Sequence, residues 1–182
     1  MKKLTIAALA AAAAVLPAAA NAQAYVQVET GLDVVDVNPG SDEGLLYGVA
    51  AGYEFPLGSN VFAAVEAGIA DSTTKDCASN GAERLCIKAG RDLSATLRLG
   101  TNLSENSKIY ALGGYTNARI KATYDDGADR YSDGVNLDGF RLGAGYQHNF
   151  GQNLFGKIEY RYSNYEAGIE RHQGVVAVGA KF

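Results

Sequence analysis

The sequence predicts an all-β fold, a closed eight-stranded antiparallel up-and-down transmembrane barrel. Three observations predict it: eight segments alternate apolar with small or polar residues, the connections between them alternate short with long, and residues 175–182 alternate to the last position, ending on Phe182. Side chains in a strand repeat every two residues, so alternation gives each segment one apolar and one polar face. A strand that closes a membrane sheet against the first one has reason to finish in this way.

The N-terminus gives the address. Lys2 and Lys3 precede an alanine-rich apolar run from Leu4 to Leu16, Pro17 breaks it, and Ala20-Asn21-Ala22 fits the small-x-small pattern of a signal-peptidase site. Residues 1–22 therefore read as a secretory signal, cut before Gln23, with one domain at 23–182. The alternative is an anchoring helix; the short apolar core and Pro17 argue against it. No cysteine follows the run to carry a lipid, and no apolar stretch of spanning length follows residue 22. If the mature chain crosses a membrane, it must do so as strands. The 182 residues less 22 leave 160, room for eight strands of about ten residues and their connections. A net charge of −4 becomes −6 without Lys2 and Lys3, which argues against a nucleic-acid partner. Mean hydropathy is −0.09, compatible with a barrel because polar inner faces cancel apolar outer ones.

Strands are expected near 24–36, 44–55, 61–71, 87–100, 108–123, 138–149, 154–163 and 174–182. In the first, Val26, Val28, Thr30, Leu32 and Val34 oppose Gln27, Glu29, Gly31 and Asp33. In the second, Leu45, Tyr47, Val49, Ala51, Tyr53 and Phe55 oppose Gly48, Ala50, Gly52 and Glu54. In the third, Val61, Ala63, Val65, Ala67 and Ile69 oppose Glu66 and Gly68; in the fourth, Leu93, Ala95, Leu97 and Leu99 oppose Asp92, Ser94, Thr96 and Arg98. The fifth is ambiguous, and the reading adopted puts Tyr110, Leu112, Thr116, Ala118 and Ile120 outward with Asn117, Arg119 and Lys121 inward. The sixth sets Phe140, Leu142, Ala144 and Tyr146 against Arg141, Gly143, Gly145 and Gln147. The seventh sets Ile158, Tyr160 and Tyr162 against Lys157, Glu159 and Arg161, and the last sets Val176, Val178 and Ala180 against Ala177, Gly179 and Lys181.

Residues 56–60, 101–107 and 150–153 read as tight turns; 72–86, 124–137 and 164–173 read as longer charged loops, and Asn38-Pro39-Gly40 marks a turn in 37–43. This is the pattern of a barrel with both termini in the periplasm. Tyr53, Phe55, Phe62, Tyr110, Phe150, Phe155 and Phe182 fall at the short-turn end, and Tyr47, Tyr124, Phe140, Tyr162 and Tyr165 at the long-loop end, as two aromatic belts would.

On the signal segment, the eight-segment meander, Lys157-Ile158-Glu159-Tyr160-Arg161-Tyr162 and the terminal Phe182, the chain resembles the small eight-stranded outer-membrane β-barrels of the OmpA/OmpX and opacity type, often called porin-family proteins. The resemblance covers 23–182 and implies a Gram-negative outer-membrane location. It implies that Val176, Val178, Ala180 and Phe182 form the C-terminal signal read by the barrel-assembly machinery. Ala180 is smaller than that pattern prefers, and the absence of Trp departs from many members. No peptidoglycan-binding domain is expected after the last strand.

Inward acids are expected at Glu29, Asp33, Glu54, Glu66, Asp92 and Glu159, and inward bases at Arg98, Arg119, Lys121, Arg141, Lys157, Arg161 and Lys181. Acids dominate the early strands and bases the later ones, so closure sets them face to face in a narrow, side-chain-filled lumen. Buried charges must pair. The first reading is a structural plug of ion pairs, with Glu66, Arg98, Arg141, Glu159 and Arg161 as its charge network; the second is a gated channel whose pairs separate. Arg91 faces outward by parity, above the hydrocarbon band, where it can snorkel or meet lipopolysaccharide phosphates. Cys77 and Cys86 close a small ring in an oxidising compartment and read as a disulfide that stiffens an external loop. A metal site is disfavoured, since no His lies near them.

Catalytic residues are not expected. Neither His148 nor His172 is followed two residues later by Ser, as in lipid A-modifying barrels with a Ser–His couple, and Gly143-x-Gly145 lies within a strand. Asp125, Asp126, Asp129 and Asp133 make one loop acidic without EF-hand spacing; a solvated loop is the default and divalent bridging to lipopolysaccharide the minority reading. The expected role is a non-catalytic, structural and cell-surface one, as a monomer whose external loops contact lipopolysaccharide or surface ligands, with outer-membrane lipid and the assembly machinery as partners and no cofactor or metal. A narrow channel for ions or small solutes is the alternative. A soluble lipocalin-like barrel would have the opposite polarity.

Overall fold

A computed structural model describes residues 23–182 apart from 38–39, 81–82 and 126–129. The strands are β1 (Gln23–Val37), β2 (Gly40–Pro56), β3 (Val61–Ser72), β4 (Lys75–Asn80), β5 (Glu83–Asn102), β6 (Ser107–Asp125), β7 (Arg130–Asn149), β8 (Leu154–Tyr165) and β9 (Ile169–Lys181). Each barrel strand pairs antiparallel with its sequence neighbour. The ring closes where β1 meets β9, from Tyr25↔Lys181 to Asp36↔Glu170. β3 and β4 lie end to end along β5, so they form one stave and the barrel has eight among the described residues.

Polarity is inverted relative to a water-soluble protein. Leu97 is 66% exposed, and the next residue, Arg98, is 1% exposed. Val28, Leu32, Val49, Leu99, Leu142, Ile158 and Val178 are likewise exposed, whereas Glu29, Asp33, Asp92, Lys157 and Glu159 are buried. An apolar outer band around a charged interior is the arrangement lipid demands. The short turns bend through left-handed glycines, with φ of 141° at Gly58 and 90° at Gly151.

The fifth predicted strand is corrected. In β6, Tyr110, Leu112, Thr116 and Ala118 are buried and share the inner face, whereas Tyr115 and Lys121 are exposed. Asn117 and Arg119 share that outer face, so neither Arg119 nor Lys121 belongs to the lumen. The aromatic belts are corrected with it. Tyr53, Phe150 and Phe182 are exposed at the short-turn end, but Phe62, Tyr110, Phe155 and, at the other end, Tyr165 are buried in the lumen.

The inner aromatics follow a rule the sequence did not advertise. Tyr25 lies opposite Gly52, Phe62 opposite Gly100, Tyr110 opposite Gly145, Phe155 opposite Gly179 and Tyr165 opposite Gly139. Each ring packs over a neighbouring strand that has no side chain there. A Cβ added to Gly179, for instance, would fall 2.2 Å from the ring of Phe155.

The expected long loops are largely paired strand. β5 and β7 run 20 residues each and β6 runs 19, against 12 in β8. The excess is roughly 25 Å of strand standing above the barrel. Alternation lapses there because both faces meet water, and backbone pairing carries the strands on. The tip residues Asp126 and Asp129, the Asn38-Pro39 turn and the 1–22 segment lie outside the described residues.

Candidate functional site

The interior is the main concentration of charge, and β-strand parity aims it inward. Nearest the short turns, Lys108 of β6 pairs with Glu54 of β2. The Lys108 Nζ also sits 4.7 Å from the Phe62 ring centroid, and the Lys181 Nζ sits 5.8 Å from that of Phe155.

The middle layer converges on two carboxylates. Glu66 Oε2 accepts from Tyr25 Oη at 2.9 Å, Lys157 Nζ at 3.0 Å and Arg98 Nη1 at 3.3 Å. Glu159 accepts from Tyr110 Oη at 2.7 Å, from Arg161 Nε, and pairs with Lys157 at 3.3 Å. Arg161 crosses the lumen to grip Glu29 with both Nη atoms at 2.8 Å. The Arg98 guanidinium lies 3.8 Å from the Tyr110 ring centroid and donates to Gln147 at 3.1 Å.

The upper layer is built on two aspartates. Asp33 accepts from Arg171 Nε at 2.6 Å and Nη2 at 2.7 Å, and from Gln173, Ser72 and Thr74. Asp92 accepts from Arg141 Nη2 at 2.5 Å, Thr116 at 2.7 Å, Arg171 Nη1 at 3.0 Å and Tyr165 at 3.2 Å. Bidentate guanidinium pairs and charge-assisted bonds offset the cost of burying these ions.

Of the five lumen residues singled out by sequence, Glu66, Arg98, Glu159 and Arg161 share the middle layer, linked through Lys157. Arg141 does not join them; it belongs to the upper layer. Sequence reasoning missed Arg171 and Lys108. Arg171 fell in a segment read as loop, and Lys108 was lost with the inverted faces of β6. The latent signal was pairing itself: Arg171 lies opposite Val35 and Ser163, inside the ladder.

Cys77 and Cys86 stand opposite each other in the β4–β5 hairpin with their sulfurs joined. The C77S/C86S double variant is expected to lose about 2–3 kcal/mol of stability by the chain-entropy argument. Urea unfolding in detergent, compared with wild type kept oxidised, measures the loss. Val176, Val178 and Phe182 are exposed on the outer wall, Ala180 is half-buried, and the Phe182 amide donates to the Ala24 carbonyl at 2.9 Å.

The histidines lie at opposite ends. His148 Nδ1 is 3.1 Å from Ser107 Oγ, across the β6–β7 ladder. His172 Nδ1 is 2.6 Å from Tyr160 Oη, and its Nε2 is 3.7 Å from Asp36. Ser107 Oγ also lies 2.9 Å from Tyr146 Oη. No group of three His, Cys, Asp or Glu side chains among the described residues is placed to hold a metal ion.

The family model described as the outer membrane protein beta-barrel domain matches residues 5–182. The 31 kDa outer-membrane immunogenic proteins of Brucella melitensis and Brucella suis are 30% identical over 139 residues, 71% of this chain and 56% of theirs. The chain thus spans about half the length of the curated relatives it matches. Among solved structures, Ail, the attachment invasion locus protein of Yersinia pestis, has a TM-score of 0.65 at 15% identity, covering 88% of this chain and 98% of Ail. Ail in complex with the heparin analogue sucrose octasulfate scores 0.63 at 15% identity, covering 88% of this chain and 99% of that one. Neisserial surface protein A scores 0.61 at 16% identity, covering 87% and 97%. At such identities the likeness speaks for the fold alone.

Proposed function

Because the chain belongs to the outer membrane protein beta-barrel family, we propose that it is a non-catalytic structural and cell-surface protein of the Gram-negative outer membrane, whose projecting hairpins contact lipopolysaccharide or surface ligands. The observation that carries this reading is the division of the molecule into a charge-filled shaft and a tall, strand-built crown. Each inward carboxylate of the described lumen has a cationic partner. Such a shaft anchors rather than conducts, and the 20-residue strands β5 and β7 carry the surface that reaches outside. The Brucella relatives are named as immunogenic outer-membrane proteins, which supports a surface role here.

A narrow channel is the second reading. Gln27 Oε1, Arg98 Nε and Gln173 Oε1 are buried in the lumen without a hydrogen-bond partner, which favours some water among the ion pairs. Planar-bilayer recording separates the two. The anchor reading expects no steady unit conductance from the purified barrel; a reproducible step would overturn it.

Export through residues 1–22 and insertion by the barrel-assembly machinery belong to the same proposal, with a monomer as the product. Replacing Phe182 with serine is expected to lower the folded fraction in outer-membrane preparations by about half or more, since it removes the terminal aromatic of the last strand. Heat-modifiable gel mobility reads that fraction. Unchanged mobility and yield would remove Phe182 from the assembly signal.

A further inference from the structure

Three lysines stand in one cross-strand row above the membrane band: Lys75 lies opposite Lys88, and Lys88 opposite Lys121. All three are exposed, on the face of the sheet that looks away from the barrel axis. Two arginines border the row on that face. Arg119 is two residues along β6 from Lys121, and Arg91 is two residues along β5 from Leu93. Both keep a buried Nε without a hydrogen-bond partner. The Nε–Nη2 edge of the Arg119 guanidinium faces Gly134, where an added Cβ would fall 3.0 Å from Nε and 3.1 Å from Nη2.

Like charges directly opposite in a ladder repel, so the row calls for a counter-anion. Among the described side chains, two carboxylates that border it are hydrogen-bonded elsewhere. Asp138 accepts from Tyr115 at 2.5 Å and Asn117 at 2.6 Å, and Asp71 accepts the Ser72 amide at 2.7 Å. Among the described residues, none of the five cations has an ion-pair partner within 4.0 Å. Across the barrel the equivalent outer face is acidic: Asp36 lies opposite Glu170, and Glu43 opposite Val34.

An apolar furrow of about 850 Å³ runs up the outer wall beneath the cations. Its floor includes Ala51 and Ala67, which face each other across β2 and β3, between Val28, Val49, Ile69 and Leu93. Ile69 and Leu93 are paired at its upper end. From Leu93 to Arg91 is about 7 Å of strand.

We propose that this flank docks an outer-leaflet lipid with a phosphorylated headgroup. An acyl chain lies in the furrow, the first phosphate meets Arg91 and Arg119, and further phosphates meet the lysine row. Guanidinium groups with free N–H donors at the edge of the hydrocarbon suit a phosphate bidentately, and the lysines add point charges further out. The proposal rests on the cell-surface reading and names its partner.

The test uses the barrel purified from outer membranes and reconstituted in zwitterionic nanodiscs with bisphosphorylated or dephosphorylated lipid A, with bound lipid counted by native mass spectrometry. Wild type is expected to retain the phosphorylated form about tenfold better, the preference two charge-assisted contacts supply. The R91Q/R119Q variant is expected to lose that preference while keeping its heat-modifiable mobility, K88Q/K121Q to lose part of it, and E43Q/E170Q on the acidic flank to keep it. A67F, which fills the furrow, is expected to reduce retention of both forms. Equal retention of the two forms by wild type, or an unaltered preference in R91Q/R119Q, would overturn the proposal. Displacement by inorganic phosphate at matched concentration would overturn the lipid assignment in favour of a free-ion site. The parent reading fails on steady conductance, which lipid counting does not measure, so the two failures are distinguishable.

Discussion

Replacing Arg161 with leucine is expected to destabilise the barrel by about 3–5 kcal/mol, the penalty for leaving a buried charge without its partner. Among the described residues Arg161 is the one cation that grips Glu29, through two bonds of 2.8 Å, and its Nε also serves Glu159. The substitution leaves Glu29 with only the neutral Gln27 amide at 3.1 Å and leaves Glu159 to Lys157 at 3.3 Å. The effect belongs to the orphaned charge more than to the lost pair, and that distinction is testable. E29Q/R161L removes both ends of the bridge and is expected to recover more than half of the loss, because a neutral amide is far cheaper to bury than a carboxylate. Urea unfolding in detergent or lipid vesicles, followed by gel mobility, gives both numbers. If the single and double variants were equally unstable, the lumen would be a water-filled passage rather than a dry plug, and the anchor reading would weaken with it.

The barrel was legible because lipid imposes one rule on nearly every strand. Leu97 beside Arg98, Ile158 beside Glu159 and Val178 beside Gly179 each put an apolar side chain on one face and a charge or a space on the other. The rule fails where its premise fails. In β6, Tyr110 and Leu112 are apolar and face the lumen, and Asn117, Arg119 and Lys121 are polar and face outward. The first two fill the space left by Gly145 and Gly143 on β7, their ladder partners. The last three stand above the band, where the outside is headgroup and water. Parity read by hydrophobicity alone therefore inverts the strand. The same limit explains Arg171. Its segment alternates between Glu170, Arg171, His172 and Gln173, all polar, so nothing in composition separates a strand from a loop. Its role comes from position against Asp33 and Asp92, two strands that only closure of the ring brings near. Charge networks were foreseeable in sum, as acids early and bases late, but not in their layers. The layers depend on register, which places Arg141 level with Asp92 rather than with Glu66.

Gly145 tests whether register and packing hold those layers together. Valine is a better strand former than glycine, so at an open position Gly145→Val would stabilise β7. Here it is expected to cost about 3–5 kcal/mol, from overpacking and the loss of a hydrogen bond to a charged group. A Cβ at this position would fall 2.5 Å from Cζ and Oη of Tyr110. That ring has no free direction: its hydroxyl donates to Glu159 at 2.7 Å, its face carries the Arg98 guanidinium, and its edge meets Phe62 at 6.4 Å between centroids. Moving it breaks the contacts that join Glu159 to Arg98. The penalty is therefore expected to vanish in a Tyr110→Ala background, where the added methyls meet empty space. A double-mutant cycle on urea unfolding measures the coupling, which should exceed about 2 kcal/mol for groups in direct contact. Additive costs would mean that Tyr110 has another rotamer available. The glycines opposite the inner aromatics would then be incidental to the charge network rather than the feature that lets the rings lie flat beneath it.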